Sequence, residues 1–97
     1  MRIEVRGRNL EVTEELREHV AKRFARTARQ VSELARLEVE LYEERNPSIA
    51  DRYVAEATLY LKGTTLRARE ASPEIVHSIH ELAEDIRRQV KRYREKR

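Results

Sequence analysis

With 97 residues the chain is long enough for one domain with a single modest core, and its 39% hydrophobic content is too periodic for a disordered protein. It contains no cysteine, which excludes disulfide scaffolds and thiolate metal sites, and no apolar run approaches the roughly 20 residues that span a bilayer. The net charge is only +3, yet residues 87–97 hold seven basic side chains and one acidic one, so the positive charge is concentrated locally.

The first predicted elements are a strand and a long helix. Apolar and charged residues alternate over positions 2–6, which predicts a half-buried strand, and Gly7 then permits a bulge or a close backbone approach. Strand-like sequence begins almost at the N-terminus, so we expect no signal peptide. Thr13 suits a helix N-cap, and apolar residues at helical spacing predict one helix over about residues 14–31.

Three further strands are predicted from segments of alternating polarity, around residues 37–42, 53–62 and 66–69. Pro47 lies between the first two, where it forbids a central strand and favours a loop. Gly63 allows a tight reversal between the second and the third, so these two form a hairpin.

The last predicted element is a long amphipathic helix. Ser72, Pro73 and Glu74 suit its start, as a capping hydroxyl, a proline at the first helical position and a carboxylate in the first turn. One apolar stripe then continues from Ile75 to Tyr93.

The order β-α-β-β-β-α predicts an α+β fold with a four-stranded sheet. The first crossover should be right-handed and join parallel strands, and the next two connections should be antiparallel. The first and fourth strands then point the same way, so two parallel helices should pack on one face of the sheet. Their C-terminal halves are expected side by side at one end.

Basic residues cluster on both predicted helices. On the first, Lys22, Arg26 and Arg29 lie opposite the apolar stripe and Arg23 lies at its flank. The outward, flanking and terminal positions of the last helix are occupied by Arg87, Arg88, Lys91, Arg92, Arg94, Lys96 and Arg97. If the topology is right, the two clusters merge into one surface suited to the phosphates of a folded RNA. Arginine dominates, and its planar fork suits bidentate phosphate contacts and stacking on bases.

Other interpretations of the charge are open. Lysine and arginine also complement the dipole at helix C-termini, so each cluster taken alone fits a solvated face. Binding to an anionic membrane surface is disfavoured, because the apolar stripe of the last helix is needed for the core.

Few other residues suggest chemistry. His77 and His80 have the spacing of metal ligands but lack companions, and the glutamates of the second strand fall on a solvated face. Tyr42 and Tyr60 would present their rings on the open sheet face, whereas Tyr93 continues the apolar stripe. With no nucleophile elbow and no phosphate-cradling loop, we expect a protein that is not an enzyme and needs no cofactor.

The segments Ile3–Val20, Ala57–Gly63 and Ile86–Lys96 together resemble the ribosome hibernation promoting factors, a family that includes the ribosome-associated translation inhibitors. The similarity covers essentially the whole chain. It implies a bacterial, cytoplasmic protein whose β-α-β-β-β-α fold is similar to double-stranded RNA-binding domains.

The resemblance also implies docking on the small ribosomal subunit, in competition with mRNA and tRNA, by a protein that is monomeric off the ribosome and silences translation in stress or stationary phase. On that basis rRNA contact is assigned to Lys22, Arg23, Arg26, Arg29, Arg88, Lys91, Arg92, Arg94 and Lys96. Arg87 joins them from its position on the helix.

Two departures from the family pattern stand out. Members often open the last helix with an acidic-aromatic stretch, where this chain has Ser72–His77. Long members carry a separate C-terminal domain that pairs two ribosomes, and residues 1–97 contain no counterpart to it. We therefore expect a single ribosome-binding domain, either a short member or a piece of a long one.

Two rival hypotheses remain. In one, the chain is a general binder of structured RNA with no preference for ribosomes. In the other, it is a protein-interaction domain in which the glutamate-rich strand face or a sheet edge recruits a partner, and the basic helix ends only aid solubility.

Overall fold

The computed structural model describes residues 1–96. In chain order the elements are β1 (Arg2–Arg8), α1 (Glu14–Arg23), α2 (Ala25–Gln30), β2 (Arg36–Glu43), β3 (Tyr53–Leu61), β4 (Thr64–Ser72) and α3 (Ile75–Glu95). The strands form one four-stranded sheet in the order β1-β2-β3-β4. β1 and β2 are parallel and the other two pairs are antiparallel, which confirms the predicted α+β topology.

The exit from β1 depends on Gly7. A Cβ atom at this position would lie 2.3 Å from the carbonyl oxygen of Leu10 and 2.8 Å from a methyl carbon of Val12. Asn9 then adopts a left-handed conformation with φ 56°, which asparagine tolerates better than most residues. The predicted close backbone approach is confirmed, and it folds the chain tightly between β1 and α1.

The first helical region is two helices, and the prediction of one helix over residues 14–31 is wrong in this respect. Thr13 does cap α1, since its hydroxyl accepts a hydrogen bond from the backbone N–H of Leu16 at 3.2 Å. At Phe24 the backbone departs from helical geometry, with φ −94° and ψ 4°. The N–H of Ala28 still donates to the Phe24 carbonyl at 3.0 Å, and the Phe24 ring is fully buried. Periodicity gives no sign of such a break, because Phe24 keeps its place on the apolar stripe.

The start of α3 also differs from the prediction. Ser72 is the last residue of β4, paired with Tyr53 in the ladder, and Glu74 occupies the N-cap position without a side-chain capping bond. The Ser72 hydroxyl still caps the turn that leads into the helix, since it accepts from the Glu74 N–H at 3.2 Å. It also lies 2.7 Å from the hydroxyl of Ser78, which donates to the Tyr53 carbonyl at 2.7 Å. Because the sheet retains Ser72, the chain turns through Pro73 and Glu74 before the first helical residue, Ile75.

The core lies between the sheet and the helices. Both helical regions pack on the same face of the sheet, and α1 and α2 each contact α3. Its fully buried large side chains are Val20, Phe24, Leu37, Leu41, Leu59, Ile79, Leu82, Ile86 and Val90, among others. Burial of each such side chain contributes about 1.5–3 kcal/mol, so this layer fixes the helices against the sheet. None of the helices within residues 1–96 has the length and apolarity that a membrane span requires.

Candidate nucleic-acid interface

The two helical regions run side by side in the same direction. In the N-terminal half of each region, His80 of α3 is close enough to His19 of α1 to lower its pKa. Farther along, Gln30 at the end of α2 shares a depression with Lys91 and Arg94 of α3. Residue numbers therefore rise together along both sides of the seam, as parallel helices require.

The first part of this seam is a depression of about 300 Å³. The first helical region contributes its four basic side chains here, which are Lys22, Arg23, Arg26 and Arg29. Opposite them, α3 contributes Arg87, His80 and the carboxylate of Glu84. The two basic clusters, which lie almost 60 positions apart in the chain, therefore face each other across one opening.

A second depression of about 460 Å³ continues the first toward the helix ends and shares Arg87 with it. Gln30, Lys91, Arg94 and Glu95 complete its lining. We call the two adjoining depressions the basic groove, and its seven cations are Lys22, Arg23, Arg26, Arg29, Arg87, Lys91 and Arg94.

Three of the predicted site residues line neither depression. Arg88 is exposed and is close enough to Glu70 on β4 to oppose the rise in the pKa of that carboxyl, which burial and Asp85 cause, so it lies toward the β4 side of α3. Arg92 and Lys96 follow at four-residue steps on the same side of the helix and are also exposed. The structure thus assembles seven of the ten predicted residues in one groove and leaves three beside it. Arg97 lies outside the described residues.

Most cations of the groove are electrostatically unpaired. Within residues 1–96, Arg87 alone among the ten predicted site residues forms an ion pair, at 3.1 Å to Glu84. The hydrogen bond from Arg87 lowers the pKa of the Glu84 carboxyl, so this side chain is an anion at neutral pH. The groove thus contains a carboxylate bound to one of its own cations.

A histidine that shares a separate depression with Lys22 was not among the predicted site residues. The Nε2 atom of His19 is buried and has no hydrogen-bond partner within residues 1–96. Burial, together with the nearby cations Arg23 and Lys22, lowers the pKa of this ring. The neutral form of this imidazole is therefore favoured in the folded protein.

On the opposite, open face of the sheet, two arginines stack on tyrosine rings and pair with glutamates. The guanidinium of Arg8 lies 4.0 Å from the centre of the Tyr42 ring and 3.6 Å from a carboxylate oxygen of Glu40. Arg36 lies 4.4 Å from the Tyr60 ring and 3.2 Å from Glu38. These two glutamates are thus paired with arginines on the same face.

The rings of the two tyrosines on this face are less exposed than the alternation predicts. The hydroxyl of Tyr42 donates to Glu56 at 3.0 Å and that of Tyr60 donates to Glu38 at 3.2 Å. Tyr42 is buried, since Arg8 covers its ring. Both rings belong to the outer face as predicted, but arginine side chains already stack on them. Within the described part of the chain, no group of three or more histidine and carboxylate side chains is placed to hold a metal ion.

Comparison with known proteins supplies independent information. Residues 3–97 match the family model described as sigma 54 modulation protein / S30EA ribosomal protein. A ribosome hibernation promotion factor of Picosynechococcus is 32% identical over 97 residues, covering 99% of this chain and 50% of that protein. A ribosome hibernation promoting factor of Salmonella typhimurium is 29% identical, covering 99% of this chain and 96% of that protein. The chain therefore spans about half the length of the first relative and nearly all of the second.

Solved structures agree with the fold. The crystal structure of the Thermus thermophilus Protein Y N-terminal domain matches with a TM-score of 0.83 and 29% identity, covering 96% of this chain and 99% of that one. A ribosomal subunit interface protein from Coxiella burnetii matches with a TM-score of 0.82 at 18% identity, covering 98% and 99% of the two chains. The second match supports the fold alone.

Proposed function

The chain belongs to the sigma 54 modulation protein / S30EA ribosomal protein family, and from this premise we propose that it is a ribosome hibernation factor of the bacterial cytoplasm. In this proposal it binds rRNA of the small subunit through the basic groove, occupies the channel used by mRNA and tRNA, and so inhibits translation. The names of the curated relatives support the hibernation role.

The observation that carries the proposal is the set of unpaired cations in the basic groove. Six of its seven cations form no ion pair within residues 1–96, so they are available to an incoming polyanion. Phosphates of RNA carry condensed counterions, and neutralising them releases these ions, which favours binding at low salt. Four of the six are arginines, whose planar forks can hold a phosphate with two hydrogen bonds.

Steric exclusion is enough to explain inhibition in this proposal. The domain measures 44 × 25 × 18 Å and is held together by a continuous core. A rigid body of that size, fixed by several phosphate contacts in a channel, keeps other chains out of the volume it occupies. No catalytic step is required.

A general affinity for structured RNA is the second candidate. It is favoured by the lining of the groove, because lysine and arginine contact phosphates without reading sequence. The two candidates differ in competition experiments. An unrelated RNA hairpin at equal mass should compete poorly for the ribosome-specific protein and fully for the general binder. Subunits already loaded with mRNA and tRNA should exclude only the ribosome-specific protein.

Co-sedimentation with purified small subunits over a salt series tests the proposal. With six phosphate contacts, affinity should fall about 10³-fold between 50 and 200 mM salt, with duplex-DNA behaviour as a guide. Replacing Arg26 and Arg29 together by glutamine should reduce the slope of log affinity against log salt by about 2, because two phosphate contacts are lost.

The matched control replaces two arginines of the open sheet face, Arg6 and Arg67, by glutamine. Both side chains are exposed and neither forms an ion pair within the described residues, so the net charge changes equally while the groove is untouched. Binding with a flat salt response, or the same loss in both double variants, would contradict the proposal.

A further inference from the structure

A third cavity continues the basic groove at the end of the molecule. It has a volume of about 570 Å³ and lies where β2 begins and where β3 and α3 end. It shares Gln30 and Arg94 with the groove, so the two openings are continuous. We call it the terminal cavity, and its lining includes Leu34, Arg36, Tyr60, Lys62, Tyr93 and Arg94.

The chemistry of the terminal cavity differs from that of the groove. Two tyrosines and several aliphatic side chains form much of its lining, and three cations, Arg36, Lys62 and Arg94, lie among them. Carboxylates are absent from the lining residues within the described part of the chain. A volume between about 300 and 1,000 Å³ is usual for sites that hold a small organic group.

Leu34 adds a second, independent observation. Its side chain is 89% exposed, although it is a large apolar residue in the lining of the cavity. An apolar side chain held in water next to an apolar-walled opening gains free energy when a planar ligand covers it. Leu34 therefore marks the mouth as a place where contact with a partner is favourable.

Two flat groups at the rim of the cavity stack on each other. The guanidinium of Arg36 lies 4.4 Å from the centre of the Tyr60 ring. A base stacks favourably both on aromatic rings and on the plane of an arginine guanidinium, because all of these groups are flat and polarisable. Tyr93 provides a further ring in the same lining.

We propose that the terminal cavity takes the base of an unpaired nucleotide in the RNA whose phosphates occupy the basic groove. This inference rests on the proposed function and adds a base-binding pocket to it. Arg94 belongs to both openings, so a phosphate there connects the backbone in the groove with the base in the cavity. The pocket therefore discriminates single-stranded or extruded nucleotides from fully paired RNA.

RNA fits this cavity better than a protein segment does. An apolar peptide could cover Leu34, but it would leave Lys62 and Arg94 without counter-charges unless it also carried carboxylates at matching positions. A nucleotide supplies both the flat apolar surface and the anion. The cavity is moreover continuous with the basic groove, whose clustered cations favour the binding of a polyanion.

Fluorescence anisotropy with two matched RNA hairpins tests the inference. One hairpin carries a 3′ overhang of two adenosines, and its twin carries an abasic overhang with the same number of phosphates. The full chain should bind the first about 5- to 150-fold more tightly, which is the factor expected for stacking one base on aromatic side chains.

Two variants test whether this preference arises in the terminal cavity. Tyr93→Leu removes a ring, and Leu34→Ser removes an exposed apolar contact without touching the core, so at least one of them should fold normally. Each should bring the affinity ratio of the two hairpins close to one while the abasic hairpin binds as before. Val76→Ser is the control, because Val76 is 44% exposed at the opposite end of α3.

The outcomes separate this inference from the proposed function. Arg26→Gln with Arg29→Gln should weaken both hairpins equally and leave their ratio intact. Equal affinity of the wild type for the two hairpins, alongside salt-dependent co-sedimentation with subunits, would overturn the base-binding pocket alone. If the wild type forms a stable dimer that Leu34→Ser loses, a second copy of the chain occupies the cavity, and this outcome would also overturn the base-binding pocket. Failure to bind either hairpin or subunits would overturn both proposals.

Discussion

Glu84 and Arg87 form a two-pronged pair inside the basic groove. The guanidinium of Arg87 donates from Nη2 and Nε to the two carboxylate oxygens of Glu84, at 3.1 and 3.4 Å. The side chains are 38% and 33% exposed, so the pair stands at the wall of the groove in contact with water. A phosphate that enters the groove must compete with this carboxylate for the guanidinium. Glu84 therefore limits how strongly the groove attracts an anion.

We expect Glu84→Gln to tighten RNA binding, because it removes a negative charge from the groove and frees Arg87 for phosphate. The salt slope should steepen by about one phosphate contact. The free energy of unfolding should change by less than about 1 kcal/mol, since the pair is partly exposed. Anisotropy over a salt series measures the first effect. The control is Glu81→Gln, because the Glu81 carboxylate lies outside the groove near His77. An equal gain in RNA affinity in this control would show that the effect comes from net charge alone.

The hydroxyl of Ser78 holds the start of α3 against the sheet. It is fully buried, donates to the Tyr53 carbonyl at 2.7 Å and lies 2.7 Å from the Ser72 hydroxyl. Ser78→Ala should lower the free energy of unfolding by about 1–3 kcal/mol, because buried polar partners lose a hydrogen bond. Urea unfolding measures this loss. Ser48→Ala, in an exposed loop, should cost much less, and similar losses in both variants would contradict the assignment.

The two glycines of the chain are required for different reasons, so substitution by asparagine should change the stability differently at each position. Gly63 has φ +76° and open space around it, so Gly63→Asn should be nearly neutral, since asparagine tolerates this conformation. Gly7 has no space for a Cβ atom against the Leu10 carbonyl, so Gly7→Asn should destabilise the fold by about 1–3 kcal/mol. Thermal unfolding of the two variants checks the ranking, and a larger loss at Gly63 would refute it.

His19 should make stability depend on pH below its ordinary pKa of 6.5. Burial and the charges of Arg23, Lys22 and His80 lower the pKa of His19 in the folded state, so the unfolded chain binds a proton first as the pH falls. Stability should therefore decline from about pH 6.5 down to the folded-state pKa and then level off. His19→Gln should remove this part of the decline, measured as the difference from wild type in urea unfolding at each pH. His77→Gln, at an exposed position, should retain it.

Local patterns were enough to predict much of the fold. The alternation in β1 to β4 and the apolar stripe of α3 each arise from residues close in sequence, so their periods can be read directly. The parallel start of the sheet followed from the helical crossover between the first two strands, and Gly7 marked the close approach correctly. The same patterns identified which lysines and arginines face outward, because helical spacing determines the face on which a side chain lies.

Tertiary packing decided the rest. The break at Phe24 and the late start of α3 depend on a buried ring and on a hydroxyl shared with β3, neither of which leaves a mark in local periodicity. Whether a basic residue joins the groove depends on its angle around α3 relative to a helix almost 60 positions earlier, so Arg87 enters and Arg88 does not. The terminal cavity is likewise formed where three elements distant in sequence meet, at the start of β2 and the ends of β3 and α3. The sequence by itself determined which side chains carry charge and which face each occupies, and only the packing of helices on the sheet determined which of them line the same groove.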